Sequence, residues 1–169
     1  MGDRSGPRRA FLKRVLSAGA ALTTSGALDH VAGAEPQAVG VTSLDHVAVP
    51  MTRVEEMIAF YRALGFTVRD GAQVVSIHFG DQKINFHRPA LWQRESFTLR
   101  APAARPPCGD FCWVWAGSAE ALRARLDAAG AEVVAEGQRD GGRDGGDAVG
   151  QSVYVRDPDG NLLEFIRYA

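Results

Sequence analysis

The chain has 169 residues, 46% hydrophobic and 23% charged, with a formal net charge of −1. That length supports one domain with a real core, and the composition is that of a globular protein. The near-neutral balance excludes a broad electrostatic surface for nucleic acid or anionic membrane.

Residues 1–34 read as an export signal. Arg4, Arg8, Arg9, Lys13 and Arg14 make a positive n-region, and Val15 to Leu28 is uncharged. Ala32-Gly33-Ala34 offers small residues for cleavage after Ala34, completing a secretory layout. The apolar run is too short and too weakly hydrophobic for a membrane span. Pro7-Arg8-Arg9-Ala10-Phe11-Leu12-Lys13 resembles the twin-arginine signal, whose pathway moves folded proteins. The resemblance implies an exported protein, periplasmic or extracellular, with no stable membrane span after processing. Residues 35–42 are expected to be a linker, and the domain to occupy 43–169.

From Ser43 the sequence is written twice. The first half predicts strand Leu44–Val49, a helix over about Arg53–Leu64, and strands Phe66–Arg69, Val74–Phe79 and Lys83–His87. The second predicts strand Asp110–Trp115, helix Ala119–Ala129, and strands Glu132–Ala135, Ser152–Arg156 and Leu162–Arg167. Both helices show apolar spacing at helical period. Thr52 and Ser118 are candidate N-caps, and Gly65 and Gly130 candidate C′ residues. The modules span about 43–88 and 108–169. Pro89 to Pro107 reads as a linker. The glycine-rich stretch Gly137 to Gly150 reads as a mobile flap.

Cys108 and Cys112 are expected as free thiols. Along a strand their Cα atoms would stand about 13 Å apart, four steps of about 3.3 Å, too far for a disulfide.

The chemistry concentrates at the end of the chain. Asp157-Pro158-Asp159-Gly160 supplies a turn through a fixed φ at Pro158, an Asx bond from Asp159 and a positive φ at Gly160. Glu164 then interrupts an apolar strand between Leu163 and Phe165. Such a carboxylate must be exposed, paired with Arg156 or Arg167, or bound to a cation. The duplication gives it counterparts. Asn85 stands where Glu164 stands, Asp110 stands where His46 stands, and His87 shares the face of Asn85. If the halves pair about a pseudo-twofold axis, these groups converge, and imidazole with two carboxylates suits a divalent cation. His78 reads as structural, and Trp113 and Trp115 as core or dimer surface.

Three segments carry a family resemblance: Leu44-Asp45-His46-Val47-Ala48-Val49, then Phe60-Tyr61-x-x-Leu64-Gly65-Phe66, then Asp157 to Glu164. The chain resembles the vicinal oxygen chelate superfamily, which includes glyoxalase I, extradiol dioxygenases and bleomycin-resistance proteins. The resemblance implies an α+β fold, with tandem βαβββ modules forming a curled mixed sheet around a central cleft. It also implies a divalent metal (Mn, Fe, Zn, Ni or Mg) held by His46, Asp110, Glu164 and His87, with Glu164 catalytic. Asn85 and Cys112 would face the substrate. Asn85 departs from the glutamate common at its position, and Asp110 from the histidine common at its own. The implied activity is that of a lyase, isomerase or dioxygenase on a small molecule chelating the metal through neighbouring oxygens. The alternative is a metal-free small-molecule binder like the bleomycin-resistance proteins. A homodimer is implied by the same analogy.

Overall fold

The computed structural model describes residues 40–169. The signal expected at 1–34 lies outside the described residues, as does most of the linker at 35–42. Val41–Ala169 forms one compact unit.

The first module runs β1 (His46–Pro50), α1 (Val54–Ala63), β2 (Thr67–Asp70), β3 (Val74–Phe79), β4 (Gln82–His87). The second repeats the order with β5 (Asp110–Val114), α3 (Ala119–Ala128), β6 (Val133–Asp140), β7 (Val149–Arg156) and β8 (Leu162–Arg167). A four-residue helix, α2 (Pro89–Trp92), opens the connection between them. Sheet A has strand order β1-β4-β3-β2, and sheet B has the matching order β5-β8-β7-β6. In each, the first and last strands pair in parallel and the other pairs are antiparallel. A parallel pair needs a long crossover, which the helix and two intervening strands provide.

Both helices end in the same way. The amides of Gly65 and Phe66 bond to the carbonyls of Arg62 and Tyr61, and those of Gly130 and Ala131 to Asp127 and Leu126. This double closure requires a left-handed residue, which the glycines supply at φ +96° and +64°. The helix starts differ. Ser118 caps α3 through a bond from the Ala121 amide, as expected. Thr52 does not cap α1. Instead the Asp159 carboxylate, from the β7–β8 turn of the other module, accepts the Thr52 and Arg53 amides at 2.6 and 2.8 Å. The Asx bond expected of Asp159 is made by Asp157, whose Oδ1 accepts the Asn161 amide at 2.9 Å.

Alternation divides each sheet into two faces. On the inner face of sheet A lie Val75, Ile77, Ile84 and Phe86; on that of sheet B lie Trp113, Val153, Val155, Leu163 and Phe165. These join Met57, Ile58, Phe60 and Tyr61 of α1 and Leu122 and Leu126 of α3 in one core. Each fully buried side chain of this size contributes about 1.5–3 kcal/mol. Trp113 links the modules, its ring 5.1 Å from Phe66 and 5.9 Å from Phe79. Beside it, Tyr61 donates its hydroxyl to Asp157 at 3.0 Å. Asn161 is fully buried, and its Oδ1 accepts the amides of Cys108 and Gly109.

The glycine-rich stretch is a correction. β6 runs on to Asp140 and β7 begins at Val149, so both ends of the expected flap are paired strands of one hairpin, and the loop between them holds a short 3-10 turn at Asp144–Gly146. The glycines serve close packing as well as freedom: a Cβ at Gly150 would meet Ile166 Cγ1 at 2.5 Å.

Candidate functional site

Because the two inner faces share one core, the outer faces of the sheets are left open. On sheet A, parallel register places His46 beside Lys83 and Ala48 beside Asn85, while β3 sets Ser76 beside Asn85 and His78 beside Lys83. On sheet B, Asp110 lies beside Leu162, and one row crosses Cys112, Glu164 and Tyr154. Thus Asn85 and Glu164 hold the same register position, as do His46 and Asp110. The equivalences read from the sequence correspond to real positions in the paired sheets.

The two faces differ in their local chemistry. His46 Nδ1 lies 2.5 Å from Asp45 Oδ1. That bond is the main reason the Asp45 carboxyl titrates below its usual range. The contact fixes one ring nitrogen and leaves Nε2 available, an arrangement common where a histidine serves as a ligand. His87 is only 8% exposed, its ring packed edge-on to Phe97 at 5.2 Å. Burial lowers its pKa and favours the neutral imidazole. The connection between the modules therefore covers this end of sheet A.

On sheet B, Glu164 accepts a short hydrogen bond from Ser152, which is fully buried. No cation pairs with it among the described residues. Arg156 is occupied by the Gly160 carbonyl. Burial first, and then the Glu164 charge, push the Cys112 thiol up to about 12. Tyr154 is also raised, by desolvation and then by Glu164. Glu164 is therefore a carboxylate held among neutral hydroxyl and thiol groups. Cys108 and Cys112 are both free thiols.

The expected convergence does not occur within one chain. No three His, Cys, Asp or Glu side chains among the described residues lie close enough together to hold one ion. His46, Asn85 and His87 belong to sheet A, and Asp110, Cys112 and Glu164 to sheet B. A cleft of about 960 Å³ lies instead at the seam, walled by Phe66, Phe79, Trp113 and Trp115, with His78 and Cys112 at its border. It touches none of His46, Asn85, Asp110 or Glu164.

Sequence reading missed Ser152, Tyr154 and Ser76, and assigned His78 no role on the open face. The signal was present, since Ser152 and Tyr154 alternate with Val153 and Val155, as Ser76 and His78 do with Val75 and Ile77.

The topology and register define a protein of duplicated βαβββ modules with one open face per module. No family model matches the chain. It is 34% identical over 133 residues to the glyoxalase domain-containing protein RDO1 of Mycosarcoma maydis, covering 77% of this chain and 70% of that protein. It is 31% identical to virulence protein STM3117 of Salmonella typhimurium, covering 76% of this chain and 85% of that protein. The crystal structure of STM3117 superposes with a TM-score of 0.65 over 78% of this chain and all of that one. The fold also matches lactoylglutathione lyase from Agrobacterium tumefaciens at 22% identity and a TM-score of 0.57, covering 75% of this chain and 94% of that one. The chain belongs to the glyoxalase-domain family of the vicinal oxygen chelate superfamily.

Proposed function

We propose that this protein acts on a small oxygenated molecule bound against the open face of sheet B, with Glu164 as the central group. The observation that carries this reading is a carboxylate with no cationic partner among the described residues, positioned by Ser152 and flanked by Cys112 and Tyr154. A carboxylate so held can accept a proton from a carbon acidified by a neighbouring carbonyl. Ser152 donates to Oε1, and Cys112 and Tyr154 lie within hydrogen-bond reach of the same carboxylate, which keeps lone pairs to take that proton. The corresponding reaction class is lyase or isomerase chemistry, with dioxygenase chemistry the other member of the family's repertoire.

The superfamily resemblance implies a divalent metal. One chain does not fit it: the donors are split, His46 on sheet A and Asp110 and Glu164 on sheet B, and no three such groups among the described residues lie close enough to hold one ion. A homodimer in which sheet A of one copy faces sheet B of the other would unite these donors, and we propose that assembly as the functional unit. The scattering of donors in one chain equally favours the second reading, a metal-free small-molecule binder.

Sedimentation and elemental analysis of the purified protein separate the two. A dimer with stoichiometric metal, depleted in both His46→Ala and Glu164→Ala, supports the first. A monomer, or a dimer whose metal survives both substitutions, overturns it. The export proposal rests on the Arg8-Arg9 signal. Sequencing the mature N-terminus should find processing after Ala34, and an unprocessed cytoplasmic product would refute it.

A further inference from the structure

A strong cation stands at the edge of this site without a counter-charge. Arg139 lies on β6, whose partner strand β7 carries Tyr154 and Ser152. Its guanidinium sits over the Tyr154 ring, 5.4 Å from the centroid. Tyr154 is in turn the register neighbour of Glu164. The guanidinium reaches this place because residue 137 is glycine: a Cβ there would meet Arg139 Nη1 at 3.1 Å. Nη1 also donates to the Gln138 carbonyl at 2.7 Å. No carboxylate pairs with Arg139 among the described residues. The Tyr154 hydroxyl lies within hydrogen-bond reach of the same guanidinium, which keeps further N–H groups for a ligand.

From this arrangement we infer that Arg139 recognises the carboxylate of an anionic substrate whose oxygenated carbon faces Glu164. The inference rests on the functional reading given above and narrows its substrate class. A planar guanidinium carries paired N–H groups in the geometry that binds a carboxylate through two parallel hydrogen bonds. Glu164 and Asp110 share the same open face, so a dianionic phosphate would meet more repulsion there than a monoanionic carboxylate. The substrate class is thus a small carboxylic acid bearing a carbonyl or hydroxyl next to the carboxylate.

Pyruvate and its neutral analogue methyl pyruvate test the assignment by NMR titration of the full-length protein. Pyruvate should shift the signals of Tyr154, Cys112 and Glu164 and bind about tenfold or more tighter than the ester, the size expected of one charge-assisted pair. Arg139→Gln should reduce pyruvate to the affinity of the ester, and Arg139→Lys should recover part of the loss. The ester should bind wild type and Arg139→Gln alike, which also shows that the variant is folded. Equal binding of both probes around Glu164, or pyruvate binding unaffected by Arg139→Gln, overturns the role of Arg139 while leaving the site standing. Shifts confined to other parts of the chain, or none with either probe, overturn both.

Discussion

Sheets A and B have the same strand order and matching register, yet their open faces carry opposite chemistry. Sheet A presents His46, Lys83, Asn85, Ser76 and His78; sheet B presents Asp110, Cys112, Glu164 and Tyr154. The inner faces differ much less, since both are aliphatic and aromatic. The inner face is constrained by packing at close to crystal density, whereas an open face is limited mainly by hydration and local hydrogen bonding. A duplicated fold can therefore keep its architecture while one copy becomes rich in imidazole and amine and the other in carboxylate and thiol. Each face alone is chemically incomplete for a metal, while the two together hold complementary donors.

The sharpest way to break the comparison is to cut what joins the modules. Asp157 is 5% exposed and accepts bonds from Tyr61, the Asn161 amide and the Asn161 side chain. Asp157→Ala leaves three buried donors without an acceptor and should cost about 3 kcal/mol or more, read from urea unfolding. A loss below about 1 kcal/mol would show that the modules are held by apolar packing alone. The pH dependence has a definite sign. Burial raises the Asp157 carboxyl above its usual 3.8, outweighing the opposing pull of Asn161 and Tyr61. A carboxyl whose folded pKa exceeds its unfolded value stabilises most when protonated. That contribution is present below 3.8 and is lost as pH rises through the folded value. The stability gap between wild type and Asp157→Asn should therefore be widest in acid and narrow toward neutrality. A gap that widens with pH would mean that the hydrogen bonds, and not burial, dominate.

A smaller effect separates the two helices. α3 is capped locally by Ser118, and α1 from the other module by Asp159. Each alanine substitution should cost about 1–2 kcal/mol. Amide hydrogen exchange should distinguish them. Ser118→Ala should accelerate exchange only in the first turn of α3. Asp159→Ala should do so both at the start of α1 and in the β7–β8 turn, and exchange confined to one of these places would argue against a cap shared between modules.

What the sequence disclosed follows the range of the interactions. Strands β3 and β8 were located to the residue, because alternation is a nearest-neighbour signal and every second side chain is buried. The helix ends were legible through Gly65 and Gly130, where a left-handed residue is locally required. The cap on α1 was not, since Thr52 and Asp159 are 107 residues apart and only the tertiary fold brings them together. The hairpin at 137–150 was misread for a related reason. Glycine signals backbone freedom locally, but at Gly150 it answers to the Ile166 side chain on a strand far along the chain. For the site, the register equivalence of Glu164 with Asn85 was readable, whereas the separation of the donors within one chain depends on how the modules pack.

The finest test converts one face toward the other. Glu164→Gln gives sheet B an amide at the row where sheet A has Asn85. Gln keeps an oxygen for Ser152, so stability should change by no more than about 0.5 kcal/mol. The charge, however, disappears from beside Cys112, whose thiol stands at about 12 through burial first and Glu164 second. In a Cys108→Ser background treated with chelator, the Cys112 titration should move down but stay above the ordinary 9.0, because burial remains. Iodoacetamide alkylation at a fixed alkaline pH below both values should accelerate, about tenfold for each unit the titration falls. Asn85→Glu places the charge on sheet A, which faces sheet B of the other copy in the proposed dimer, and should slow alkylation at Cys112. An unchanged rate in Glu164→Gln would mean that the carboxylate does not act on this thiol, removing Cys112 from the wall of the site. An unchanged rate in Asn85→Glu would mean that the two faces do not meet in solution, against the proposed dimer.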